Sequence, residues 1–117
     1  MGMKKIAMRT AVAVLGVGAV VGSAPAFAIS ASTTGSYAYT SSSDNTTMNV
    51  SDTSADSRSA YGQYFRTSDP SSYSTLWNKS GSGTTVSAGG NSSILQLRAC
   101  RQEQWSSDTC SGWVAGW

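Results

Sequence analysis

Few side chains in this sequence could do chemistry, and their types narrow what that chemistry could be. The chain has no histidine, which removes Ser-His-Asp and Cys-His nucleophile systems in their usual form, and the usual zinc sites. Glu103 and Asp108 could in principle act as the acid and base of a glycoside hydrolase. Both fall between Cys100 and Cys110, where a surface loop is the simpler account. Asp52 and Asp56, with Asp44 upstream, could ligate calcium. Their D-x-x-x-D spacing is sparser in ligands than a dedicated loop, and Asp is common at turns for its backbone hydrogen bonds alone, so the turn is the expected role and calcium the open alternative. Lys79 stands beside a Gly/Ser turn, where a solvated amine is expected. The sequence therefore implies no catalytic residue, no metal and no cofactor.

Aromatic side chains carry what functional signal there is. Trp105 lies in a polar stretch, Tyr73 in a Ser-rich turn, and Trp117 is the last residue. Exposed Trp and Tyr can stack on sugar rings or anchor a protein partner. The stretch between the cysteines, with Trp105 as apolar anchor and Arg101 and Glu103 at its rim, is the expected binding loop. Tyr73 and Trp117 are a candidate aromatic surface. Trp77 and Trp113 are expected to fill a core that is short of Leu and Ile.

The elements that must position these residues read as strands. Thr46, Met48 and Val50 alternate onto one face, and Tyr37 and Tyr39 share another. Tyr61 and Phe65 lie on one face of a segment over 59–66, with Tyr64 on the other. Further strands are expected at 75–78, 84–87, 93–101 and 112–117; in the longest of these Leu95, Leu97 and Ala99 face one way and Gln96, Arg98 and Cys100 the other. Turns are marked by Asp52–Ser57, by Ser68-Asp69-Pro70-Ser71-Ser72 and by Gly89-Gly90-Asn91. About seven short antiparallel strands with no sustained helical period predict a small single-domain all-β sandwich over 44–117. Residues 29–43 are a Ser/Thr-rich leader with a possible first strand, Ile29 to Gly35 being expected to lack order.

The first 28 residues predict an export signal. Lys4, Lys5 and Arg9 precede an apolar run from Ala11 to Val21, and Ala26-Phe27-Ala28 is an A-x-A cleavage site. The apolar run is shorter than the roughly 17–25 residues that a membrane span needs, so stable insertion after cleavage is not expected. Cleavage after Ala26 is an alternative. The absence of an Arg-Arg pair ahead of the run favours the general export route. Removing the signal takes away three basic residues and leaves Arg58, Arg66, Lys79, Arg98 and Arg101 against Asp44, Asp52, Asp56, Asp69, Glu103 and Asp108. So balanced and dispersed a charge does not suit nucleic acid, which needs clustered cations. Export would place Cys100 and Cys110 in an oxidising compartment, where a mutual disulfide is expected. The sequons at Asn45, Asn49, Asn78 and Asn91 are taken as incidental to a Ser/Thr-rich chain.

The stretch from Asp52 onward resembles a family of small secreted β-domain proteins from actinobacteria. The matching segments are Asp52-Thr53-Ser54-Ala55-Asp56 leading into Ser59-Ala60-Tyr61, then Ser80-Gly81-Ser82-Gly83-Thr84-Thr85-Val86, Leu97-Arg98-Ala99-Cys100-Arg101 and Asp108-Thr109-Cys110-Ser111-Gly112-Trp113. The resemblance implies an extracellular β domain with one disulfide and implies no activity. Ser57 departs from it, since glycine is expected in that turn. Ser59-Ala60-Tyr61 followed by Tyr64 is also similar to small exported bacteriocins, although the cysteines depart from their pattern. Together these readings lead to a secreted, non-enzymatic module that binds an extracellular glycan or protein; the alternative is a secreted effector, either a bacteriocin-like antimicrobial or an inhibitor of an extracellular hydrolase. The intact mass of the protein recovered from culture medium is expected to correspond to a chain beginning at Ile29; a species retaining Met1 in the membrane fraction would contradict the signal.

Overall fold

The computed structural model describes residues 28–116, so the expected signal up to residue 27, and Trp117, lie outside the described residues. Two antiparallel sheets face each other. One contains β1 (Ser30–Thr33), β2 (Ser36–Ser41), β3 (Thr47–Asp52) and β6 (Thr85–Ala88), in the order β1-β2-β3-β6. The other contains β4 (Ala60–Arg66), β5 (Asp69–Asn78), β7 (Ile94–Arg101) and β8 (Thr109–Cys110), in the order β5-β4-β7-β8, with β9 (Val114–Ala115) also paired to β7. The all-β sandwich is as expected, built of nine strands among the described residues.

Alternation decides which side chains meet between the sheets. Ala38, Met48 and Val50 point inward from the first sheet, and Ala60, Tyr64, Leu97 and Ala99 from the second. Their inner neighbour is Gly62, in the middle of β4. A Cβ there would lie 2.6 Å from Met48 Cε and 2.8 Å from Val50 Cγ2, so the first sheet packs into the space that a side chain would take. Asn78, fully buried, ties the sheets together: its amide donates to the carbonyls of Val50 (3.0 Å) and Thr84 (2.9 Å), and its Oδ1 accepts from the Ser80 N–H and the Thr84 hydroxyl. Every polar atom of that amide is partnered, as burial requires. At the opposite end Arg66 donates to the carbonyls of Thr46 (2.9 Å) and Ser92 (2.7 Å).

Four expectations need correction. Ile29 to Gly35 is not a leader without order: β1 pairs with β2, Ile29 is 2% and Ala31 8% exposed, and the Ile29 N–H donates to the Thr40 hydroxyl. Its inward residues are few and small, so its periodicity is faint. Pro70 is not in a turn; the chain reverses at Thr67-Ser68 and Pro70 is the second residue of β5, an edge strand, where a missing N–H costs no ladder bond. In β7 it is Ile94 that is fully buried with Leu97 and Ala99, because Leu95 has no partner in the β4–β7 ladder and the bulge there inverts the alternation. Finally, Trp77 and Trp113 are outside the core, each 37% exposed. The sheets approach too closely at Gly62 to admit indoles.

Cys100 and Cys110 are bonded to each other across the β7–β8 pair. Closing so short a loop restricts the unfolded chain by roughly 3 kcal/mol on loop-closure grounds. Replacing Gly62 with valine is expected to lower stability by on the order of 3 kcal/mol or prevent folding, because branched volume enters a filled interface. Gly112→Ala meets open space and is expected to stay within about 0.5 kcal/mol of the parent, both read by urea denaturation.

Candidate binding face

The residues of β4 that cannot point inward point away from the core, and register lines them up with those of its neighbours. Tyr61 stands between Trp77 of β5 and Cys100 of β7; Gln63 between Thr75 and Arg98; Phe65 between Tyr73 and Gln96. The outer face of this sheet is thus a grid of three rows, about 7 Å apart along the strands. Trp113, just ahead of β9, folds over its third row.

Rings dominate both ends. Tyr61 and Trp77 pack with centroids 4.3 Å apart, which leaves Tyr61 only 7% exposed and Trp77 facing outward. At the other end Phe65 lies 5.8 Å from Tyr73 and 5.0 Å from Trp113, and Tyr73 is 52% exposed. These contacts hold ring positions while Trp77, Trp113 and Tyr73 all stay partly exposed. Between them is a polar row: Gln63 accepts from Arg98 Nε at 2.8 Å and reaches the Thr75 hydroxyl at 3.4 Å. The Arg98 guanidinium stacks on Trp113 at 4.8 Å, and Lys79 Nζ lies 5.1 Å from the centre of the Trp77 ring.

The loop between the cysteines adjoins the Tyr61 end. Arg101 donates to Glu103 through Nε (3.0 Å) and Nη2 (2.8 Å) and to Asp56 through Nη1 (3.3 Å). Arg58 pairs with the other Glu103 oxygen at 3.3 Å, and the Thr109 hydroxyl donates to Glu103 at 2.6 Å. Arg101 and Glu103 thus face each other and brace the loop from below, while Trp105 projects from its tip at 93% exposure. Those donors hold the Glu103 carboxyl below its ordinary range, the Thr109 hydroxyl first and Arg101 next. Tyr73 pairs with Phe65, in the row of Gln96, which is five residues along β7 from Arg101, so about 17 Å of strand separates that row from this loop. Trp117 lies outside the described residues.

The aspartates are set in turns. Asp52 Oδ1 accepts the Ser54 N–H and Asp56 Oδ1 the Arg58 N–H, each two residues ahead. Asp44 caps the β2–β3 turn through Ser42 and Thr46, with the whole of β3 between it and Asp52. Ser57 takes the left-handed conformation, φ 60°, in the position where glycine was expected. Of this face the sequence pointed only to Tyr73; Tyr61, Gln63, Phe65, Thr75, Trp77, Arg98, Trp113 and Lys79 were not among the expected site residues. The available signal was the pairing of small Ala60 and Gly62 on one parity of β4 with Tyr61 and Phe65 on the other.

Asp108 connects loop and face. Its Oδ2 accepts the Tyr61 hydroxyl at 2.5 Å and its Oδ1 the Glu103 N–H at 3.0 Å. The Tyr61 bond first, then the backbone one, hold the Asp108 carboxyl below its usual value. Burial, reinforced by Asp108, pushes the Tyr61 phenol from 10.0 up to about 12. A raised folded value means that this contribution to stability is complete below pH 10 and is lost as the pH climbs towards 12. Ultraviolet titration of the phenolates is expected to show a transition near pH 12 that Tyr61→Phe removes. Asp108→Asn should move that transition down without restoring the value of a free phenol, since burial is the larger cause. No protein-family model, curated protein or solved structure matches the chain.

Proposed function

We propose that the protein is an exported, non-catalytic module that binds an extended polysaccharide along the outer face of its β5-β4-β7 sheet. One observation carries the reading: Tyr61, Phe65, Tyr73, Trp77 and Trp113 all gather on that face, in two groups separated by a polar row. A pyranose has apolar C–H faces and a hydroxyl rim. Exposed aromatic rings suit the first, and Thr75 and Arg98, with the buried Gln63 amide bridging them, suit the second. A strand-long outer surface of this kind fits an extended chain better than an enclosed small molecule. The disulfide, the charged start of the chain with its apolar run, and the A-x-A site support a destination outside the cell. Among the described residues no helix is long and apolar enough to cross a membrane.

A second reading rests on Trp105. A 93%-exposed indole on a loop closed by a disulfide and braced by Arg101 and Glu103 loses little entropy on docking, which suits an anchor for a protein partner, as an inhibitor or antimicrobial effector would need.

Co-sedimentation with insoluble polysaccharides separates the two. Trp77→Ala and Trp113→Ala are each expected to weaken polysaccharide binding about tenfold or more, the scale of a binding hot spot, with thermal midpoints showing that the variants fold. Trp105→Ala should leave it unchanged. Loss of polysaccharide binding in the Trp105 variant alone would assign the contact to the loop instead.

A further inference from the structure

Resting on the polysaccharide reading, we infer that the face selects acidic polysaccharides whose sugars carry carboxylates, with Arg98 receiving the carboxylate and Lys79 as a second cation. Arg98 spends only Nε internally, on Gln63 Oε1 at 2.8 Å. Neither terminal guanidinium nitrogen has a hydrogen-bond or ion-pair partner among the described residues. The guanidinium lies over the Trp113 ring, 4.8 Å from its centre, and its two terminal nitrogens, the donors that meet a carboxylate in a two-bond fork, remain available. Lys79, held over Trp77, likewise has no carboxylate partner among the described residues.

The contrast with the neighbouring charges is informative. Arg58 and Arg101 are neutralised by Asp56 and Glu103. Asp108, the acid nearest the face, has one oxygen bonded to Tyr61 and the other to the Glu103 N–H. The described charges of the chain nearly cancel, yet Arg98 and Lys79 form no ion pair, and the one carboxylate on this face, Asp108, is turned to Tyr61 and the Glu103 N–H. A guanidinium held over an indole, with hydrated donors left over, is placed to exchange that water for a carboxylate. A uronate ring carries its carboxyl near the ring plane, so a ring stacked on Trp77 or Trp113 in one orientation presents the carboxylate sideways, to the middle row where Arg98 stands.

The test uses the secreted protein in affinity electrophoresis through polygalacturonate, its methyl ester and a glycerol-phosphate polymer. Polygalacturonate is expected to bind at least tenfold more tightly than the ester, with the advantage shrinking as salt rises. Arg98→Gln should abolish the preference, Arg98→Lys should recover it only in part because a point charge lacks the fork, and Lys79→Gln should reduce it less. Thermal midpoints and near-ultraviolet circular dichroism of each variant show that the face persists. Equal binding of acid and ester would overturn the inference while sparing the polysaccharide reading. Tighter binding of the phosphate polymer than of polygalacturonate would overturn the carboxylate assignment. Binding to none of the three, nor to any insoluble polysaccharide, would overturn both readings.

Discussion

The closeness of the two sheets at Gly62 governs most of what else the molecule does. Met48 and Val50 occupy the volume that a side chain at 62 would claim, and Ala38, Ala60 and Ala99 keep the surrounding gap narrow. Strands alternate, so small residues on one parity leave the large ones no choice but the other. Tyr61 and Phe65 must emerge on the outer side of β4, and register sets Trp77 and Tyr73 beside them. The aromatic face is thus the complement of a thin core. Asn78 is part of the same constraint, because its amide spans from β5 to the Val50 carbonyl only while the sheets stay close.

A domain this small buries modest apolar area, and its stability depends on supplements to that burial. Two buried polar clusters serve, Asn78 with Thr84 at one end and Thr40 with Asn45 at the other, together with the disulfide. The outer rings contribute as well: Trp77 shields the Tyr61 ring, and Phe65 rests between Tyr73 and Trp113. Residues that would contact a ligand therefore also cover the sheet, so stability and recognition cannot be tuned separately there.

The strands that could be read in advance were those with strong alternation against small or polar partners, β3 and β4, and those bounded by clear turns, β6 and β7. What escaped has identifiable causes. Ala31 is too small to announce β1. The sequence Asp69-Pro70-Ser71-Ser72 has turn chemistry but occupies an edge, where the ladder does not require the proline N–H. Leu95 continues the apolar pattern of β7 and yet is the residue that the bulge expels from it. For Tyr73 and Trp105 the polar neighbours made exposure an open alternative to burial, and both are exposed. The exposure of Trp77 and Trp113 was not legible, because large apolar residues on one parity look like a core until the opposite parity proves to be Ala and Gly. Arg98 was invisible as part of a site, since its meaning depends on Trp113 and Gln63, which reach it only through folding.

The attachment of the C-terminal segment has a mechanical side. Beyond Cys110 the chain is held by the pair of bonds between Ser111 and Ala99 and by the two-residue ladder of β9, and Trp113 lies within this stretch. Tension applied from that end would peel β9 away first, then the Trp113 contacts and the Ser111–Ala99 pair, and stop at the covalent hold of Cys110. Under such a pull the face would shed one ring, and with it the stack under Arg98, while β4, β5 and β7 stayed zipped. Grip and load would be coupled through a strand of two residues, with the disulfide as the stop that keeps a slackened face from becoming an unravelled domain.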